Sequence, residues 1–123
     1  GILTFGDGTS AYIPQPIPTP GAPNAFIAPF WRDLYVSSGQ ISYASSSTEF
    51  VVTYTNVRNV CCALPVFTFQ VVLRPDGTIL FQYDTLSASP NTTIGIENQD
   101  GTKGVAVPAV AAGQAYKFTP VQP

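Results

Sequence analysis

Two adjacent cysteines, Cys61 and Cys62 in "NVRNVCCALPVF", are the residues of this sequence most able to do chemistry. Neighbouring side chains of an extended backbone point to opposite sides, so each thiol has its own surroundings. Three states stay open: a ring disulfide between the two within a turn, disulfides to neighbouring subunits, or free thiols. Pairing is usual in an oxidising compartment. Because two sulfurs without histidine fill only half of a tetrahedral zinc shell, we expect no metal site here.

Groups that could catalyse a reaction are scarce. The chain contains no histidine, which removes the commonest general base near neutral pH and a common zinc ligand. Serine nucleophiles therefore lack an adjacent base. Paired carboxylates could act as in a glycosidase, but the spacing of the acids brings no two of them to one face. The acids considered are Asp33, Glu49, Asp84 and Glu97. We predict that the protein is not an enzyme and has no catalytic residue, cofactor or metal ion.

Carbohydrate is a candidate partner for two reasons. Asn91-Thr92-Thr93 is an N-glycosylation sequon, which makes Asn91 a candidate to carry a glycan. Exposed aromatic side chains could also form a platform for a sugar ring, although aromatic residues in apolar strands are more often part of a core. The platform candidates are Tyr12, Trp31, Tyr35, Tyr43 and Tyr54.

The composition excludes two other classes of partner. Charged residues make up 10% of the chain, and its five basic residues are scattered. They cannot line a groove that follows a phosphate backbone, so we expect no nucleic-acid partner. No apolar run approaches the roughly 20 residues that cross a bilayer, so we expect no membrane-spanning segment. The few charges and the many serine, threonine, proline and glycine residues favour an extracellular location at a cell surface.

The elements that hold these residues are predicted to be β-strands. Apolar and polar residues alternate in "EFVVTYTNV", "VFTFQVVLR" and "TILFQYD", whereas no window favours a helix longer than a turn or two. Asp76-Gly77 and Asp100-Gly101 supply the positive φ angles that tight hairpins need. Together these patterns predict an all-β fold. We expect an antiparallel β-sandwich, jelly-roll-like, that forms a single domain over residues 1–123.

One segment cannot belong to the interior of a sheet. Residues 12–23, "YIPQPIPTPGAP", contain five prolines, and each of them lacks the N–H that a β-ladder requires. We expect an extended, polyproline-like conformation. The segment is either a rigid connection across the sandwich or an arm that lies on a neighbouring subunit.

Four motifs in this order carry a resemblance over nearly the whole chain: "GILTFG", "APNAFIAPFWRDL", "TFQVVLRPDGTILFQYDTL" and "TTIGIENQDGTKG". The chain resembles a β-sandwich domain of bacterial secreted and cell-surface proteins and, more distantly, the extracellular nidogen-type (NIDO) domain. The resemblance implies an extracellular domain without established catalytic residues. Relatives usually carry further strands before the part that matches "GILTFG". We therefore expect this chain, as given, to leave an unpaired edge and an apolar groove that another chain fills.

Strand donation that repeats head to tail without closing builds a filament. We expect a non-enzymatic extracellular structural subunit whose partners are copies of itself, in a homopolymer held by strand exchange or arm contacts. The alternative is an accessory carbohydrate- or protein-binding module of a larger secreted protein. The candidate assembly contacts are Ile2, Leu3, Phe5, Tyr12, Ile13, Pro14, Pro16, Ile17, Pro18 and Val121.

Overall fold

The computed structural model describes residues 1–37, 39–87 and 91–121, and these residues form β-strands and no helix. In chain order the strands are β1 (Leu3–Thr4), β2 (Phe26–Trp31), β3 (Leu34–Tyr35), β4 (Gln40–Ser45), β5 (Phe50–Asn59), β6 (Val66–Leu73), β7 (Ile79–Thr85), β8 (Thr93–Glu97), β9 (Gly104–Ala106) and β10 (Ala115–Phe118). All the registered strand pairs are antiparallel. The predicted fold class, an all-β antiparallel β-sandwich, is confirmed.

The chain is divided into two compact units. One comprises Gly1–Leu34 and Ser89–Val110, and the other comprises Tyr35–Ala88 and Ala111–Pro123. The strands form a sheet of order β1-β2-β8-β9 and a sheet of order β10-β7-β6-β5-β3, in which β4 also pairs with β5. We call these sheet 1 and sheet 2. That residues 1–123 act as a single domain stays a prediction.

Sheet 1 is built around β2, whose six residues are all buried. A register shift between Ala28 and Trp31 breaks the regular pairing of β2 with β8. The shift changes which residues share a face, so Trp31 joins Phe26 and Ala28 in one apolar cluster. The rings of Phe26 and Trp31 meet edge to face, with their centroids 5.2 Å apart. This cluster is the surface on which the residues before β2 lie.

Sheet 2 is built around the consecutive hairpins of β5, β6 and β7. Alternation along these strands places Tyr54, Phe69 and Phe81 on one face, where each side chain is at most 5% exposed. The rings of Tyr54 and Phe69 stack with their centroids 4.5 Å apart. Burial of each large apolar side chain stabilises the fold by about 1.5–3 kcal/mol. The opposite face of the same strands carries polar residues such as Gln70 and Gln82 next to apolar ones such as Val72.

Bulges interrupt two strands of sheet 2. The register of β5 with β6 shifts between Tyr54 and Val57, and Asn56 has a φ of 51° there. The Asn56 N–H donates to Thr68 Oγ1 over 3.0 Å. The register of β6 with β7 shifts next to Thr68, so Asp84 has no direct partner on β6. Bulges re-aim side chains, and both of these lie beside Thr68.

Candidate functional site

Residues 12–23, here called the proline arm, lie on sheet 1 of the same chain. The Trp31 indole N–H donates to the carbonyl of Ala11, just before the arm, over 3.1 Å. The Thr93 hydroxyl donates to the Gln15 carbonyl over 2.8 Å. The N–H of Thr19 donates to the carboxylate of Glu97 over 2.8 Å. Hydrogen bonds therefore attach the arm to strands β2 and β8 along its length.

Ile17 is the apolar anchor of the proline arm. Its side chain is half-buried and packs against the cluster of Phe26, Ala28 and Trp31. Two glycines of sheet 1 make room for it. A Cβ at Gly104 would lie 2.4 Å from the Ile17 side chain, and a Cβ at Gly95 would lie 3.0 Å from it. The sheet thus carries a seat that fits Ile17 because both positions lack a side chain.

The other assembly candidates in the arm divide between its two sides. Pro14 is half-buried. Pro16 and Pro18 are exposed, as are Tyr12 and Ile13, whose side chains are 58% and 65% exposed. The exposed side leaves apolar groups available to a partner, whereas the inner side is used within the chain.

The candidates near the ends of the chain also fall into two groups. Leu3 pairs with Ile27 of β2, so the first strand adds to the edge of its own sheet. Ile2 is half-buried against the cluster of sheet 1. Phe5 and Val121 are 63% and 93% exposed. Ile2 and Ile17 therefore pack on the same cluster of sheet 1, whereas Phe5 and Val121 remain exposed side chains outside it.

A different apolar surface lies at the edge of sheet 2, on β4. Ile41 and Tyr43 alternate there with small polar residues and are 48% and 75% exposed. They stand opposite Tyr54 and Val52 in the register of β4 with β5. Tyr43 also stacks on Phe50 at a centroid distance of 5.7 Å. Sequence analysis missed this edge, although the alternation and the lack of charge in "QISYAS" are visible signals for it.

The two cysteines lie at the tip of the β5–β6 hairpin. Cys61 and Cys62 are joined in a disulfide and are exposed. Arg58 holds the tip by donating to the carbonyl of Cys62 over 3.0 Å. Val60 and Leu64 on either side are 52% and 75% exposed. The tip is therefore a small apolar projection braced by one guanidinium group.

The other residues singled out for chemistry do not converge among the described residues. Trp31 and Tyr54 are 1% and 5% exposed, so neither can stack on a sugar ring. Asn91 is exposed. Glu49 lies 3.7 Å from Arg74 in an exposed ion pair, a type of contact that contributes about 0–1 kcal/mol. Within the described ranges, no group of three or more histidine, cysteine, aspartate or glutamate side chains could hold a metal ion.

The displaced pKa values follow from burial and from turns. Burial raises the pKa of Tyr54 to about 12, and burial likewise raises the pKa of Tyr83. At the β6–β7 turn the backbone N–H of Thr78 donates to Asp76 and lowers the pKa of that carboxyl. At the β8–β9 turn the hydroxyl of Thr102 does the same for Asp100. These shifts reflect packing and turn geometry, not a reacting pair of groups.

The comparisons with known proteins agree with this architecture. Across the part of the chain that the structure describes, no helix is long and apolar enough to cross a membrane. Neither the curated proteins nor the solved structures that were compared give a match. A family model described as NIDO related matches residues 1–120, which confirms the resemblance to the nidogen-type domain. Because this match covers almost the whole chain, the chain belongs to the NIDO-related family, whose domains are typically extracellular.

Proposed function

We propose that this domain is a non-enzymatic structural subunit of an extracellular assembly, and that copies of it join through the β4 edge of sheet 2. NIDO-like all-β domains are typically structural modules without catalysis, which is consistent with this role. The partner is another copy of the chain, and a repeated contact of this kind builds a filament. The observation that carries the proposal is the exposed and unprotected β4 strand.

The β4 edge lacks the features by which proteins normally block strand addition. Free edges are usually short, or they carry lysine, proline or a bulge. In sheet 1, the edge strands β1 and β9 have two and three residues. β4 has six residues, "QISYAS", with no charge, no proline and an uninterrupted register against β5. Its outer side pairs with no strand among the described residues. Such an edge is a template for another strand.

Side chains add an apolar contact to these free backbone groups. Ile41 and Tyr43 continue the face that carries Tyr54, but they are 48% and 75% exposed where Tyr54 is 5% exposed. A strand added outside β4 could cover both of them. Burial of this apolar surface would then stabilise the contact by about 25 cal/mol per Å², in addition to the main-chain hydrogen bonds.

The opposite edge of sheet 2 offers the complementary strand. β10 is the terminal strand there, and Tyr116 and Phe118 lie opposite Phe81 and Ile79. β10 also carries Lys117, which alternates with these two residues and so points to the other face, away from the proposed apolar contact. When β10 of one copy pairs with β4 of the next, the backbone ladder and the apolar face both continue. The contact joins two different surfaces and is therefore heterologous; it builds a filament when the rotation between copies does not close into a ring. Phe5, Tyr12 and the other exposed candidates then provide secondary contacts between copies.

Charge substitution on β4 tests the proposal. Sedimentation velocity and negative-stain microscopy of the wild-type chain should show oligomers that lengthen with concentration. Tyr43→Lys should leave a folded monomer, because the ammonium group cannot be buried under an added strand. Leu64→Lys is the matched control: Leu64 is also 75% exposed, but it lies on a hairpin tip instead of an edge. The control should assemble like wild type.

Two results would contradict the proposal. One is a wild-type chain that stays monomeric at about 100 µM, which would mean that the dissociation constant for self-association lies well above that concentration. The other is equal assembly of wild type and Tyr43→Lys. A closed dimer that Tyr43→Lys abolishes would keep the edge contact but reject the filament, since β4 would then pair with β4.

A further inference from the structure

A groove of about 410 Å³ with polar side chains on its floor opens on sheet 2. Its floor is the face opposite to the buried aromatic residues, because Gln70 and Gln82 alternate along their strands with buried apolar side chains. Thr53 of β5 and the turn before β10, at Gln114, complete the lining. The volume lies within the range of about 300–1,000 Å³ that is typical of small-molecule sites. The β4 edge is not part of the groove.

Strand register places the floor groups in one row. Thr53 stands opposite Gln70, and Gln70 stands opposite Gln82. Since neighbouring strands are about 4.8 Å apart, a hydroxyl and two carboxamides follow one another at roughly that interval. Such a row can meet several hydroxyl groups of one ligand at the same time.

The hydrogen-bonding capacity of this row is unused within the described chain. The side chains of Thr53, Gln70, Gln82 and Asp84 make no hydrogen bond to other described residues. Thr53 and Gln70 are nevertheless half-buried, and partly buried polar groups are normally bonded to protein, water or ligand. Gln82 and Asp84 are exposed, so the donors and acceptors of this row are free to bond water or a ligand in the groove.

The walls of the groove are held in place by other contacts. The N–H of Ala111 donates to Gln114 Oε1 over 3.0 Å, and Gly113 is bonded through its backbone to Tyr83. Thr68 is fixed by Asn56 at the bulge of β5. A site on paired strands with braced walls loses little conformational entropy when it binds a ligand.

Charge and polarity point to the class of ligand. The lining contains one carboxylate, Asp84, and no basic side chain, so a phosphate or carboxylate ligand is disfavoured. Next to the polar row, Val51, Val72 and Leu80 form a parallel apolar row on the same face. A sugar ring has the matching combination, with hydroxyl groups at its edge and C–H groups on its faces. An extended peptide does not fit, because the strands under the groove are already paired on both sides.

We propose that this groove binds a neutral carbohydrate of one or two sugar rings, with the Gln70 and Gln82 carboxamides and the Thr53 hydroxyl bonded to its hydroxyl groups. The proposal is independent of assembly through β4. It gives the extracellular domain a glycan-binding face that differs from the exposed aromatic side chains.

Titration by ¹H–¹⁵N NMR tests this site with glucose, galactose, mannose, N-acetylglucosamine, cellobiose and maltose as probes. At least one sugar should shift the amide signals of the groove with a dissociation constant of about 0.1–10 mM. Gln70→Leu and Gln82→Leu should each weaken binding by about two- to tenfold, the loss of one neutral hydrogen bond. Gln99→Leu is the matched control, since Gln99 is an exposed glutamine in the turn after β8, outside both the groove lining and the β4 edge.

Further readouts keep the test decisive. If a leucine variant loses its dispersed spectrum, Thr53→Val removes a hydroxyl at nearly constant volume and should weaken the same sugar. Tyr43→Lys should bind the sugar as wild type does, which separates this proposal from the assembly proposal. The proposal is overturned if no probe shifts the groove signals at about 50 mM, or if Gln70→Leu and Gln82→Leu bind as tightly as wild type. It is also overturned if the groove signals move with protein concentration alone, which would assign the groove to a second copy.

Discussion

Replacing Ile17 by alanine tests whether the proline arm is held by its own sheet. The substitution removes three carbon atoms from a side chain that packs on Phe26, Ala28 and Trp31. At about 0.8 kcal/mol per buried carbon, full burial would contribute about 2.4 kcal/mol. Ile17 is only half-buried, so the expected loss is about 1.2 kcal/mol. Little is added for a cavity, because the site is open at the surface and can relax.

Urea denaturation followed by fluorescence measures this loss directly. Trp31 is the only tryptophan of the chain, and it belongs to the cluster that Ile17 covers. The midpoint should fall in Ile17→Ala without a change in slope. Chymotrypsin should also cleave after Tyr12 faster in this variant, because the arm is released more often.

Ile13→Ala is the matched control, since it removes the same atoms from the same arm at a position that is 65% exposed. Its effect should stay within about 0.5 kcal/mol. The reasoning would be refuted if the two variants lost the same stability. An arm that swings away from sheet 1, or lies on another copy, would give that result in dilute solution.

Three further predictions concern pH, backbone space and redox state. Burial holds the pKa of Tyr54 at about 12, so the folded state keeps a proton that the unfolded chain releases near pH 10. Stability from this group is therefore complete below about pH 10 and falls by up to about 1.4 kcal/mol per pH unit from there to pH 12. Gly95→Ala should cost more than about 1 kcal/mol in thermal unfolding, because its φ is +153° and a Cβ would lie 2.1 Å from the Val105 carbonyl. Alkylation without reductant should label neither Cys61 nor Cys62, and both should react after reduction.

Each of these has a contrary outcome. Tyr54→Phe should flatten the alkaline loss of stability, and an unchanged slope would remove Tyr54 as its cause. Gly8→Ala is the control for Gly95→Ala, since nothing lies near a Cβ at Gly8. Equal melting temperatures of the two variants would argue against the close contact at Gly95. Disulfide-linked oligomers on a non-reducing gel would show that Cys61 and Cys62 form disulfides between subunits and not the ring disulfide.

Local sequence pattern was sufficient for the fold class. Alternation in "VFTFQVVLR" and "TILFQYD" predicts which side chains of β6 and β7 share a face, because successive side chains of a strand point to opposite sides. The Asp76-Gly77 turn is equally local: Gly77 has a φ of 88°, and Asp76 bonds the N–H two residues ahead. These features depend on neighbours within a few residues, so they are visible in the sequence.

The position of the proline arm was decided by the tertiary structure. Proline content predicts an extended segment, but it does not say what the segment touches. Gln15 and Thr19 bond residues 78 positions away along the chain, and the seat for Ile17 depends on the diagonal placement of Gly95 and Gly104 on the paired strands β8 and β9. A contact of that range follows from the pairing of whole strands, which no local pattern specifies.

The sequence by itself determined that this is a low-charge, β-rich chain with alternating faces, hairpin turns and an extended proline segment, because each of these depends on backbone geometry over a few residues. Only the tertiary structure decided that the arm folds onto its own sheet and that β4 is a long edge strand, with no further strand on its outer side in the described ranges. It alone aligned Gln70 and Gln82 in one row, because register and bulges set which distant side chains become neighbours.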